Sequence, residues 1–161
     1  STVYRKMKLY IQSEQEIRKV IEMDSTNNFA WNNLGLLYYT LQKYDEAELI
    51  LNKTIAMDSF FANPYQILGL VYFKTNRLKD AAMYFNKALE INPKYAQAYI
   101  GLAYLLIKQN DIVKAIENIE KAIDSGTTFE YLDNDEELKS LKDQTIWKEM
   151  LTKHFPGKIK D

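Results

Sequence analysis

The side chains able to perform covalent or metal chemistry are few in this chain and stand apart from one another. His154 is the single histidine, beside Phe155 near the C-terminus, and cysteine is absent. Neither a thiolate or imidazole metal set nor a thiol nucleophile can be assembled from that inventory. His154 reads as a solvated histidine on a terminal helix. Asp133, Asn134, Asp135, Glu136 and Glu137 form an acidic run, but it has neither the glycine nor the spacing of a calcium loop. It reads instead as the start of a helix, where carboxylates oppose the positive dipole end. The five glycines are dispersed, so no loop could cradle a phosphate. The count points away from catalysis and cofactors and toward recognition by apolar and amide side chains.

The remaining composition narrows the class further. The chain has 161 residues, 47% of them hydrophobic, which suits one domain with a continuous core. A net charge of −1, with charges of both signs, creates no field toward nucleic acid or acidic lipid. The lysines are spread rather than gathered in a stripe, which disfavours RNA binding through helical repeats. No apolar run approaches the ~20 residues that cross a bilayer, so no direct membrane insertion is expected. Frequent Lys, Asn, Ile and Tyr suggest an AT-rich genome, and the default compartment is the cytoplasm. Because the chain opens at Ser1, a removed leader or upstream repeats stay open.

The elements that carry these side chains repeat every 34 residues. Leu34, Leu68 and Leu102 lie one period apart, as do Ala47, Ala81 and Ala115. Around them run the columns Trp31/Tyr65/Tyr99, Tyr38/Tyr72/Leu106, Leu51/Phe85/Ile119 and Lys53/Lys87/Lys121, each holding a size class. Such a period marks a stacked-repeat architecture. Each period contains two amphipathic segments, the first spanning residues 29–41 and 44–57 in turn, joined by short polar turns at Gln42-Lys43, Thr75-Asn76-Arg77 and Gln109-Asn110-Asp111. Turns this short force antiparallel helix hairpins. Asn63-Pro64 reads as a helix cap followed by proline in the first turn, and Asp143 as the cap of a last helix that stops at Pro156. Gly35, Gly69 and Ala103 on first helices, and Ala47, Ala81 and Ala115 on second helices, allow close backbone approach where the two cross.

These residues resemble the tetratricopeptide repeat family. Trp31, Leu34, Gly35, Tyr38, Ala47, Leu51 and Thr54 follow its signature, as do Tyr65, Leu68, Gly69, Tyr72, Ala81, Phe85, Ala88 and Pro93. Tyr99, Leu102, Ala103, Leu106, Ala115, Ile119 and Ala122 repeat it with alanine for glycine and without the closing proline. Upstream, Tyr10, Ser13, Ile17 and Val20 keep the register of Tyr44, Ala47, Leu51 and Thr54, so residues 1–27 read as a partial repeat or capping helix. Residues 2–22 could equally form one continuous helix. Ser13-Glu14-Gln15-Glu16 also has the form of a capping box, though packing inside a helix explains Ser13 better. The expected organisation is this partial repeat, full repeats at 28–61, 62–95 and 96–129, a C-terminal helical cap at 130–155 like those ending many bacterial arrays, and a frayed tail at 156–161.

The resemblance implies an all-α, right-handed solenoid of about 3.5 repeats whose concave wall is built by first helices. Carried over to this chain, that wall is lined by Phe29, Asn32, Asn33, Leu36 and Tyr39, then Asn63, Gln66, Ile67, Leu70, Phe73 and Lys74, then Gln97, Ile100, Tyr104, Ile107 and Lys108. Leu36, Leu70, Phe73 and Tyr104 are the expected apolar anchors, and Asn32, Asn33, Gln66 and Gln97 the amide partners of a ligand backbone. The family's two-carboxylate clamp needs cations where this chain has Asn32, Leu36, Ile67, Gln97 and Gly101. Of its asparagine ladder only Asn33 is present, with Ile67 and Gly101 on the other rungs. The expected function is a non-enzymatic adaptor that binds a peptide or amphipathic helix. The alternative is self-assembly into a homo-oligomer through the groove or a terminal helix.

Overall fold

The computed structural model describes residues 2–158. Every regular element among them is helical: α1 (Thr2–Met23), α2 (Asn28–Thr40), α3 (Tyr44–Met57), α4 (Ala62–Lys74), α5 (Leu78–Ile91), α6 (Ala96–Lys108), α7 (Ile112–Asp124), α8 (Phe129–Asn134) and α9 (Thr145–His154), with one 3-10 turn at Lys139–Leu141. The fold class is an α-solenoid of helix hairpins. No helix among the described residues is long and apolar enough to cross a membrane.

Two kinds of turn alternate along the chain, and backbone chemistry explains both. Within hairpins, Gln42, Asn76 and Asn110 take left-handed φ values of 58°, 60° and 59°. The next N–H then reaches back to close the preceding helix, from Lys43 to Tyr38 O at 2.9 Å, Arg77 to Tyr72 O at 2.8 Å and Asp111 to Leu106 O at 2.9 Å. Asparagine tolerates this conformation, whereas glutamine bears a steric penalty. Gln42→Gly is therefore expected to stabilise the protein by about 1 kcal/mol, read as an upward shift of the urea midpoint with an unchanged m-value.

Between hairpins the device is an aspartate or asparagine whose side chain accepts the N–H two residues on. Asp24 takes Thr26 N–H at 2.9 Å, Asp58 takes Phe60 N–H at 2.9 Å and Asn92 takes Lys94 N–H at 3.0 Å. This turn starts α4 at Ala62 with Phe61 in the cap position. Asn63 is therefore inside the first turn, and the expected Asn63 cap is corrected, although Pro64 does fall where its missing N–H is harmless. Likewise α9 is capped by Gln144, not Asp143.

The chain divides into two compact units, residues 1–84 and 85–161. In the first, α2 and α3 cross closely at Gly35, where a Cβ would stand 2.6 Å from Leu51 Cδ2. Leu34, Ala47, Leu51 and Leu68 are fully buried. α1 is one continuous helix through the residues where a hairpin turn could have fallen. It packs on α2 through a polar column that recurs one period later: Tyr38 Oη donates to Glu14 Oε1 at 2.9 Å, and Tyr72 Oη donates to Glu48 Oε1 at 2.7 Å. Arg18 donates to the Tyr38 oxygen at 2.6 Å. Ser13 is interior to α1, as its register implies, yet exposed.

Burial, followed by the Glu48 hydrogen bond, pushes the Tyr72 hydroxyl far above the ordinary tyrosine range. A raised folded value means that the stabilisation is complete below the unfolded tyrosine pKa of about 10 and is lost as pH climbs above it. Stability measured by urea titration should fall from about pH 10 upward, and Tyr72→Phe should flatten that slope.

In the second unit α6 and α7 form the hairpin, with Ala98, Ala103, Ala115, Ile119 and Ala122 fully buried. The segment expected as a C-terminal cap contributes buried side chains of its own. Leu132 is fully buried one period after Ala98, and Trp147 and Leu151 of α9, buried too, stand two residues short of a period after Ala115 and Ile119. Leu138 and Leu141 complete this core. Of the expected frayed tail, Lys158 Nζ pairs with Glu130 Oε1 at 2.9 Å, and residues 159–161 lie outside the described residues.

Candidate functional site

Burial divides the sixteen side chains expected along the inner wall into three groups. Phe29, Asn33, Leu36, Lys74, Gln97 and Lys108 are exposed; Tyr39, Asn63, Leu70 and Ile107 are half-buried; Asn32, Gln66, Ile67, Phe73, Ile100 and Tyr104 are buried. Two expected anchors, Phe73 and Tyr104, and two expected amide partners, Asn32 and Gln66, are therefore not presented to solvent, nor are Ile67 and Ile100. On α4 the reason is composition. The helix is apolar around nearly its whole circumference, and such a helix is buried rather than two-faced.

On α6 the chain covers its own wall. Tyr104 Oη donates to Asp135 Oδ2, a residue of the acidic run that lies between α8 and the 3-10 turn. Burial, Tyr131 and the Asp135 carboxylate together drive the Tyr104 hydroxyl well above its ordinary range. Ile100 and Gln97 share a cleft of about 220 Å³ with Tyr131 and residues 125–128. Asp135 also accepts Glu137 N–H at 2.9 Å, so the run builds a turn rather than the helix start expected for it.

The first unit carries an open surface that includes a wall supplied by α1. A cleft of about 370 Å³ is lined by Tyr10, Ser13 and Ile17 of α1 and by Asn33, Leu36, Leu37 and Thr40 of α2. Leu36 is 42% exposed there and Phe29, about two turns earlier on α2, is 65% exposed. The α1 residues were absent from the expected lining. Their signal was their register with Tyr44, Ala47 and Leu51, of which Ala47 and Leu51 are fully buried in α3 while Ser13 stays exposed and Ile17 half-buried. On the same stripe of α2, Asn32 Oδ1 is buried and has no hydrogen-bond partner among the described residues. Leaving such an acceptor unmet costs about 1–3 kcal/mol.

His154 is not the solvated side chain expected from sequence. It is half-buried and its Nε2 lies 3.1 Å from Glu120 Oε1, an oxygen that also accepts from Lys153 Nζ at 2.8 Å. Lys153 first, then His154, hold the Glu120 carboxyl below the usual carboxylate range. The cluster ties α9 to α7. The repeating lysines have a visible role as well: Lys53 Nζ lies 3.5 Å from the centre of the Trp31 ring, and Lys121 Nζ 5.9 Å from that of Tyr99.

Two tetratricopeptide repeat family models match the chain, over residues 30–60 and 72–144. No curated protein matches it. Among solved structures, one of MamA protein is 24% identical with a TM-score of 0.65, covering 93% of this chain and 85% of that one. PilF of Pseudomonas aeruginosa is 25% identical with a TM-score of 0.63, covering 89% and 68%. A MamA from Desulfovibrio magneticus, from residue 41 to its end, is 19% identical with a TM-score of 0.60, covering 86% and 71%. These likenesses bear on the fold, and repeats of this kind serve in general as protein-interaction scaffolds. With its recurring columns, its hairpins and both family matches, the chain belongs to the tetratricopeptide repeat family.

Proposed function

We propose that the protein is a non-enzymatic adaptor that receives an apolar peptide or amphipathic helix in the α1–α2 cleft of its first unit. The cleft carries the reading: it sets the exposed Leu36 beside Tyr10 and Ile17, with the Asn33 amide at its wall. Phe29, 65% exposed, extends the apolar surface. Leu70, half-buried, is a secondary anchor.

Leu36→Asp places a charge in the cleft while leaving the buried stripe of α2 intact. Tagged protein incubated with native extract should lose its specific partner on this substitution, by at least about tenfold in retained amount, with its melting temperature within a few degrees of the parent. Retention unchanged by Leu36→Asp would remove the cleft from the binding surface.

Self-assembly is the second reading, favoured by α1. Met7, Leu9, Ile11 and Val20 are 56%, 59%, 54% and 42% exposed on this one helix. Sedimentation separates the two: an adaptor keeps a monomer mass as concentration rises, whereas self-assembly raises the mass.

A further inference from the structure

The feature common to the three turns is the backbone N–H of the residue two after the aspartate or asparagine; its side chain adds a hydrogen bond only at Thr26, and any polar side chain would serve there. Thr26 and Lys94 occupy that place in two of the turns; Phe60 occupies it in the third and is 85% exposed. Turn geometry gives no reason for a phenyl ring there. Phe60 stands next to Phe61, whose ring stacks on Phe29 at 5.0 Å and 58°, and Phe29 is itself 65% exposed. Asn28 Nδ2 donates to Asp58 Oδ2 at 3.0 Å and joins this turn to the one before α2, where Met23 is 88% exposed.

The edge also carries negative charge, and neither Asp24 nor Asp58 has an ion-pair partner among the described residues. Asp58 accepts from Asn28 and from Phe60 N–H, and Asp24 accepts from Thr26 N–H and Oγ1; all four donors are neutral. Those Thr26 hydrogen bonds hold the Asp24 carboxyl below its ordinary range, so it stays ionised at neutral pH. Close by, Trp31 Nε1 donates to Ser25 O at 3.0 Å and its ring is taken by the chain's own Lys53 ammonium, so the two carboxylates are the groups left for an incoming cation.

We propose that this edge is a docking surface for a basic apolar protein segment, one in which a lysine or arginine neighbours a bulky side chain. The apolar part covers Phe29 and Phe60, and the cation meets Asp24 and Asp58. This goes beyond the function proposed above, because the α1–α2 cleft is lined by uncharged residues and offers a cation nothing.

The probe is a short amphipathic peptide of lysine and leucine, titrated calorimetrically into the full chain, beside a counterpart with glutamate for lysine. The lysine peptide should bind more weakly as salt rises, and roughly tenfold more weakly to Phe60→Ser and to Asp58→Asn. The glutamate peptide should not bind. Phe60→Ser keeps the turn's N–H and removes an exposed ring, so an unaltered melting temperature will show that the fold is intact. No binding of the lysine peptide, equal binding of both peptides, or unchanged binding by Phe60→Ser overturns the proposal. So does a concentration-dependent mass abolished by Phe60→Ser, which would make the edge a contact between copies of this chain.

Discussion

Gly101→Ala is expected to destabilise the second unit by about 1–3 kcal/mol, although alanine is the better helix former by about 0.5–1 kcal/mol. A Cβ at Gly101 would stand 2.4 Å from both Cε1 and Cζ of Phe85. That ring is fully buried, and close-packed interiors leave a rigid ring little room to move. Gly35→Ala makes the instructive comparison. Its Cβ would meet Leu51 Cδ2 at 2.6 Å and Cγ at 2.7 Å, but a leucine can shift toward another rotamer more readily than a phenyl ring can, so the smaller loss is expected there. The decisive measurement is a double-mutant cycle in urea. Phe85→Leu alone loses buried volume and destabilises, yet combined with Gly101→Ala it should recover stability relative to the sum of the two, with a coupling of about 0.5–3 kcal/mol. Strict additivity would show that the two residues do not share this space.

Trp147→Ala is expected to cost about 3–5 kcal/mol, the loss typical of a large aromatic removed from a core. Trp147 is 3% exposed and lies with Met150, at 4%, and Leu151, at 7%, on the buried face of α9. The polar tie between α9 and α7 cannot compensate. Lys153 and Glu120 are 66% and 30% exposed as side chains, and ion pairs so open to water contribute about 0–1 kcal/mol. Lys153→Ala should therefore have a small effect where Trp147→Ala has a large one. Hydrogen exchange makes the test local: amides of residues 129–154 should lose protection in Trp147→Ala, while those of α2 and α3 keep it. Equal loss in both units would mean that the chain unfolds as a single block.

Periodicity and reagent count were both legible in the chain. The 34-residue columns located the hairpins because buried positions of a stacked array repeat when the stacking does, and Leu34, Leu68, Ala47, Ala81 and Ala115 are all fully buried. Other columns carried meaning that emerged only with coordinates. Asp24, Asp58 and Asn92 stand one period apart and each organises a turn. Glu14 and Glu48, one period apart, each accept from a tyrosine, contacts between separate helices that no local pattern announces.

Sequence by itself determined the helix hairpin, its repeat and the tetratricopeptide family, because hydrophobic period, short turns and small crossing residues are local properties of the chain. Tertiary structure alone decided which of the residues expected along the inner wall remain open. Tyr104 and Leu36 hold equivalent-looking positions on first helices, yet the chain's own acidic turn takes the Tyr104 hydroxyl while Leu36 looks into a cleft shared with α1. Exposure depends on what later segments pack against a helix, and a residue's own neighbours in sequence do not contain that information.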